Sequence, residues 1–133
     1  MNKFVLDACA ILALIREEQG ADIVKNTIAS DAEIFLHSVT LLEIYYNLTK
    51  ELGIDKANLF YKQITKTKVI IIYEITENMI KTAGLFKSKY KISLGDSFIL
   101  AAAKLYNAKI ISSDHHELDI IEKSENINFL WIR

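Results

Sequence analysis

Five short runs rich in β-branched and aromatic residues punctuate the chain, at 3–6, 34–37, 69–73, 109–112 and 128–132. Runs of that length and composition predict β-strands. Longer stretches with apolar residues at helical spacing lie between them, at 8–15, 20–29, 39–52, 56–65, 77–90, 95–106 and 116–123. Strands alternating with helices imply βαβ units and a mainly parallel sheet covered on both faces. The near-continuous apolar character of 69–72 and of Ile110–Ile111 predicts strands buried from both sides. Two helices follow one another without a strand at 39–52 and 56–65, with Gly53 placed to end the first, which predicts a helical hairpin. The expected fold is a single three-layer α/β/α domain over 1–133, with a mainly parallel sheet of about five strands.

Composition narrows the class. The chain has 133 residues, 51% hydrophobic and 25% charged, with no proline and only four glycines, so it reads as one globular domain without a linker. The single cysteine, Cys9, excludes an internal disulfide and a thiolate zinc site. The apolar run at 8–15 is shorter than the ~20 residues a membrane span needs. No basic stretch precedes it, so no signal peptide is expected and a soluble cytoplasmic protein is. The formal net charge of −1 leaves a nucleic-acid partner open, because the distribution of charge matters more than its sum.

Candidate chemistry lies in the carboxylates. Two predicted strands run into aspartate, at Val5-Leu6-Asp7 and Ile111-Ser112-Ser113-Asp114. In an open parallel sheet the carboxyl ends of the strands line the crevice where ligands bind, so neighbouring strands would bring Asp7 and Asp114 together. Each also suits a helix N-cap, and 114–117 has the form of a capping box. The two roles are compatible. Asp96 heads an almost wholly apolar helix, and Ile99, Leu100 and Ala103 continue its stripe inward. Ser93 is the matching N-cap. Glu43 shares a polar helical stripe with Thr40, Asn47 and Lys50, which by spacing alone is a solvated face. Carboxylates gathered in one crevice repel one another unless a cation neutralises them, and oxygen-only ligands favour Mg2+ or Mn2+. Such a cluster serves metal-dependent phosphoryl transfer or hydrolysis.

These segments together resemble the PIN domain, and more narrowly the VapC-type toxins of toxin–antitoxin pairs. The resemblance rests on Val5-Leu6-Asp7-Ala8, Leu42-Glu43-Ile44, the stretch from Gly95-Asp96-Ser97 to Ala103, and Ile111-Ser112-Ser113-Asp114, in the family's order. It implies an endoribonuclease dependent on Mg2+ or Mn2+, with Asp7, Glu43, Asp96 and Asp114 as the acidic quartet that holds the metal and orients water. It implies a supporting hydroxyl at Ser112 and a further acidic residue at Glu117. Ala8 stands where the family often has Ser or Thr. The implied partners are an RNA substrate (transfer, ribosomal or messenger), a cognate antitoxin that sets a basic side chain into the acidic pocket, and a second copy in a homodimer.

Among other residues, Lys87, Lys89 and Lys91 form the best candidate edge for RNA phosphates. His115 and His116 adjoin Asp114 but belong to an exposed first helical turn. His37 reads as structural, Cys9 as core, and Tyr45 and Tyr46 as packing or dimer surface. A catalytically inactive PIN-like module for binding RNA or protein is the nearest competing reading, and its marker, loss of a quartet member, is absent. A receiver-like signalling domain also gathers acids around Mg2+, but strand 69–73 runs into Glu74 and no late strand ends in Lys.

Overall fold

A computed structural model describes residues 2–133. Five strands form one sheet: β1 (Lys3–Leu6), β2 (Glu33–His37), β3 (Ile70–Ile72), β4 (Lys109–Ser112) and β5 (Phe129–Trp131). Their spatial order is β3-β2-β1-β4-β5, and every adjacent pair is parallel. The order reverses between β1 and β4, so the crevice beyond those two carboxyl ends is the switch point where ligands bind in such sheets. A receiver domain has the order 2-1-3-4-5. That reading fails on topology as well as on residues.

The helices are α1 (Ala8–Ile15), α2 (Ala21–Ala29), α3 (Ser38–Leu52), α4 (Ile54–Ile64), α5 (Glu77–Lys89), α6 (Leu94–Tyr106) and α7 (His115–Ser124). Alternation along β1 divides the core. Phe4 and Leu6 point into one apolar cluster with Ile11, Val24, Ile44 and Leu48 of α1 to α3. Val5 points into the other, with Phe86, Leu100 and Leu118 of α5 to α7. The α3–α4 hairpin forms as the sequence predicts, turning at Gly53 with φ +95°, a conformation that costs glycine nothing. One strand departs from expectation. β3 lies at the sheet edge and pairs only with β2, so Ile70 is 45% exposed despite its apolar neighbours. Ile110 and Ile111 in β4 are fully buried, as expected.

Candidate metal centre

Asp7 ends β1 and caps α1. Its Oδ1 accepts the Ala8 N–H at 2.7 Å, while its own N–H continues the β1–β4 ladder to the Ile111 carbonyl at 3.0 Å. Its Oδ2 accepts the Ser112 hydroxyl at 2.7 Å and the Cys9 thiol at 3.3 Å. Burial pushes the Asp7 carboxyl up from its ordinary range and Asp114 adds repulsion, against the pull of the three hydrogen bonds.

Ser112 joins the two strand-end aspartates. It donates to Asp7, and its oxygen accepts the Asp114 N–H at 3.0 Å. Asp114 caps α7 by accepting the Glu117 N–H at 3.4 Å. In a closed capping box Glu117 would return to the Asp114 N–H. Ser112 already occupies that donor, so the Glu117 side chain is free to turn into the crevice.

Asp96 enters from α6. Ser93 caps that helix by accepting the Asp96 N–H at 3.1 Å, and the carboxyl is buried with its Oδ2 lacking any donor. Burial, the Glu117 carboxylate and the charges of Asp7, Glu117 and Asp114 push it up to about 9. At neutral pH the metal-free Asp96 therefore holds a proton and donates it towards Glu117, which is held below its usual range chiefly by that bond. Ligand oxygens of Asp96, Asp114 and Glu117 lie within 4.8 Å of one another. Oxygens sharing an octahedral Mg2+ at ~2.1 Å are ~3–4 Å apart, so with modest side-chain adjustment the three could hold one ion.

Glu43 closes the crevice from the opposite helical layer. It is half-buried on α3, and burial followed by repulsion from Asp7 and Glu117 raises its carboxyl. Its carboxylate lies where a side chain at Gly95 would be: a Cβ there would stand 2.8 Å from Glu43 Cδ. The absence of a side chain at Gly95 lets α3 and α6 meet over the site. His37 and Phe98 reinforce that meeting, with ring centroids 5.0 Å apart. None of the five carboxylates forms an ion pair among the described residues.

The sequence pattern of the PIN domain matches residues 4–123. The chain belongs to the PIN domain family. The chain is also similar in fold to solved structures. The chain resembles a toxin–antitoxin complex from Klebsiella pneumoniae, with TM-score 0.73 and 16% identity over 97% of each chain. It resembles VapBC-1 from nontypeable Haemophilus influenzae, with TM-score 0.74 and 16% identity over 98% of each chain. It also resembles VapC20 from Mycobacterium tuberculosis, described as a toxin cleaving the sarcin–ricin loop, with TM-score 0.66 and 16% identity over 80% of this chain and 85% of that one. At these identities the likeness is one of fold. No curated protein matches the chain in sequence.

Within this PIN domain the structure brings Asp7, Glu43, Asp96, Asp114, Ser112 and Glu117 to one crevice. The lysines do not follow as a group. Lys89 pairs with Glu125 at 2.9 Å, past the far end of α7 and ~15 Å along that helix from Asp114. Lys87 donates to the Ile92 carbonyl at 2.8 Å and its charge reaches Glu117, while Lys91 is exposed. Two adjoining concavities of about 460 and 520 Å3 surround Lys104 and Glu125, away from the acids. Cys9 is a second departure. Rather than being core it is partly exposed, and it accepts the Ser113 N–H at 3.3 Å while donating to Asp7. Its place two residues after a capping aspartate was the available signal. His37 is structural as read, its Nδ1 accepting the Val39 N–H at 3.0 Å. No helix among the described residues is long and apolar enough to cross a membrane.

Proposed function

We propose that this PIN domain is a metal-dependent endoribonuclease of the VapC type, the toxin of a cytoplasmic toxin–antitoxin pair. The observation that carries the reading is the convergence of five carboxylates, none of which forms an ion pair among the described residues. Burial first and mutual repulsion second raise Asp96 and Glu43, and a divalent ion relieves the repulsion. Asp96, Asp114 and Glu117 offer the nearest shared oxygens and, with Asp7 and Glu43, would hold Mg2+ or Mn2+. Such an ion supplies a Lewis acid and lowers the pKa of a water for attack on a phosphodiester.

The chain's own residues fix the geometry. Ser112 and Cys9 hold the Asp7 carboxylate in one orientation, and Ser112 also pins the backbone of Asp114. Glu43, brought in over Gly95, orients the water that attacks. An antitoxin fits the same pocket by placing a basic side chain among the acids, which offsets the repulsion a metal would offset. Exposed apolar side chains on α3 and α5, among them Leu42, Tyr46, Ile80 and Leu85, provide surface for a second copy and for that antitoxin.

The test is cleavage of a mixed RNA pool containing transfer, ribosomal and messenger RNA by purified protein with Mn2+. An EDTA control and an identically purified Asp96→Asn protein accompany it. Discrete products that require metal and vanish with Asp96→Asn are expected. Equal cutting by both proteins, or none by wild type, would overturn the reading.

A further inference from the structure

Beside the acidic crevice, the edge strand β5 carries an aromatic column. Phe129 and Trp131 are two residues apart and so share one face of the sheet. Their ring centroids are 4.7 Å apart and their planes differ by 6°. His115, the first residue of α7, stacks on the same indole with centroids 3.9 Å apart and planes 21° from parallel. Two rings that close and that parallel cannot share one face of Trp131. The indole is therefore sandwiched, and the column climbs β5 towards the carboxyl-end rim with His115 at its top.

The top ring is also clamped at its edges. His115 Nδ1 lies 2.7 Å from Asp119 Oδ1, and Nε2 lies 2.8 Å from the Arg133 carbonyl. Neither nitrogen is left for a metal. With one face on the indole and both nitrogens engaged, 46% of the side chain is still exposed. That exposure belongs mainly to the outer face of the ring. His115 directly follows Asp114, so the ring stands at the carboxyl-end rim of the sheet, on the side of α7 turned ~200° from Glu117.

A ring fixed on three sides and open on the fourth loses little freedom when something stacks on it. The acidic pocket repels phosphates, and Lys89, one of the three lysines near the rim in sequence, is committed to Glu125. Contacts other than charge then add to the affinity for a polyanion. Stacking is such a contact, because every nucleobase has a π-face and unpaired bases leave it accessible.

We propose that the outer face of His115, backed by Trp131 and Phe129, is a stacking platform for an unpaired nucleobase of RNA that crosses this rim on its way to the acidic site. The proposal rests on the endoribonuclease reading above for its substrate. With both nitrogens engaged the ring cannot read base edges, so the platform adds affinity without sequence choice.

Trp131 is the only tryptophan in the chain, so its emission reports the column directly. Short single-stranded oligoadenylate is titrated in EDTA and low salt against wild type, His115→Ala and His115→Phe. A saturable change in Trp131 emission is expected for wild type and His115→Phe, with affinity roughly tenfold weaker in His115→Ala. A fully paired RNA of the same length is expected to leave the emission unchanged. No change in wild type, or one affinity for all three proteins, overturns the platform. With Mn2+ and transfer RNA, the loss in His115→Ala is expected in KM rather than kcat, and His115→Phe recovers it. If wild type cuts RNA and all three proteins share one KM, the platform fails while the nuclease reading stands. If wild type cuts nothing, the nuclease reading fails and the fluorescence titration alone judges the platform.

Discussion

Replacing Asp96 with asparagine removes an ionisable group from a site where ionisation is costly, while the amide keeps the shape and can still donate to Glu117. In the metal-free fold the Asp96 carboxyl is pushed up to about 9 from an unfolded value of 3.8, by burial first and by its acidic neighbours second. Between those values the folded chain holds a proton that the unfolded chain has lost. Stability therefore falls as pH rises, by up to ~1.4 kcal/mol per pH unit. From pH 7 to 9 the loss is about 2 kcal/mol, a sizeable part of the ~5–15 kcal/mol typical of a domain. It corresponds to a fall in Tm of roughly 6–8 °C at this chain length.

Other groups do not obscure that window. His37 is lowered by burial from 6.5, so its contribution grows with pH but is complete by pH 7. Glu117 is lowered from 4.5 and contributes constantly above that value. The Cys9 thiol, raised by burial to about 11 from 9.0, begins to lose its contribution only near the top of the window, and both proteins carry it. Asp7, Glu43 and His115 are raised, so their contributions also fall with rising pH, but both proteins carry them. The assay is thermal unfolding of wild type and Asp96→Asn in EDTA across pH 7 to 9. The wild-type curve is expected to fall by several degrees more than that of the variant, which becomes the more stable protein at pH 9. Adding Mg2+ is expected to flatten the wild-type curve. Parallel curves would refute the assignment of the proton to Asp96.

Gly95→Ala gains up to ~1 kcal/mol of helix propensity but sets a Cβ against the Glu43 carboxylate. RNA cleavage is expected to drop at least about tenfold, a barrier increase of ~1.4 kcal/mol, with Tm changed by only a few degrees. Ser112→Ala strands the Asp114 N–H and takes a donor from Asp7, so a loss of ~1–3 kcal/mol in urea unfolding is expected. Its Mn2+ affinity is expected to fall about 10- to 100-fold, as when other supports of metal ligands are removed. Cys9→Ser preserves both the bond to Asp7 and the acceptor for Ser113, whereas Cys9→Ala loses both. Mn2+ titration is expected to rank wild type and Cys9→Ser together, above Cys9→Ala.

Much of the centre was legible because strand ends announce themselves. An apolar run that stops at aspartate, as at Leu6-Asp7, marks both a carboxyl end and a cap, and two such ends in a parallel sheet converge. Glu43 was not legible from its stripe. Thr40, one turn before it, is fully buried, because α6 crosses there and hides the amino end of a face that is solvated further along. Cys9 was misread since periodicity weighs its hydrophobicity and not the position of its sulfur beside a capping carboxylate. The three lysines do not form one edge, for a geometric reason: Lys87 and Lys89, two residues apart on α5, point ~200° apart, and Lys89 is paired with Glu125. The apolar run at 69–73 marked a strand but not its place, since hydrophobicity does not distinguish an edge that awaits a partner from a centre that has two.

The most direct test of a metal centre built from these carboxylates is calorimetric titration of the protein with Mn2+ near pH 7.5, in buffers of different ionisation enthalpy. A divalent ion must displace the proton that Asp96 holds towards Glu117, so the account predicts binding with release of about one proton per ion, and neither in Asp96→Asn. Wild-type binding without proton release, or undiminished binding by Asp96→Asn, would contradict it.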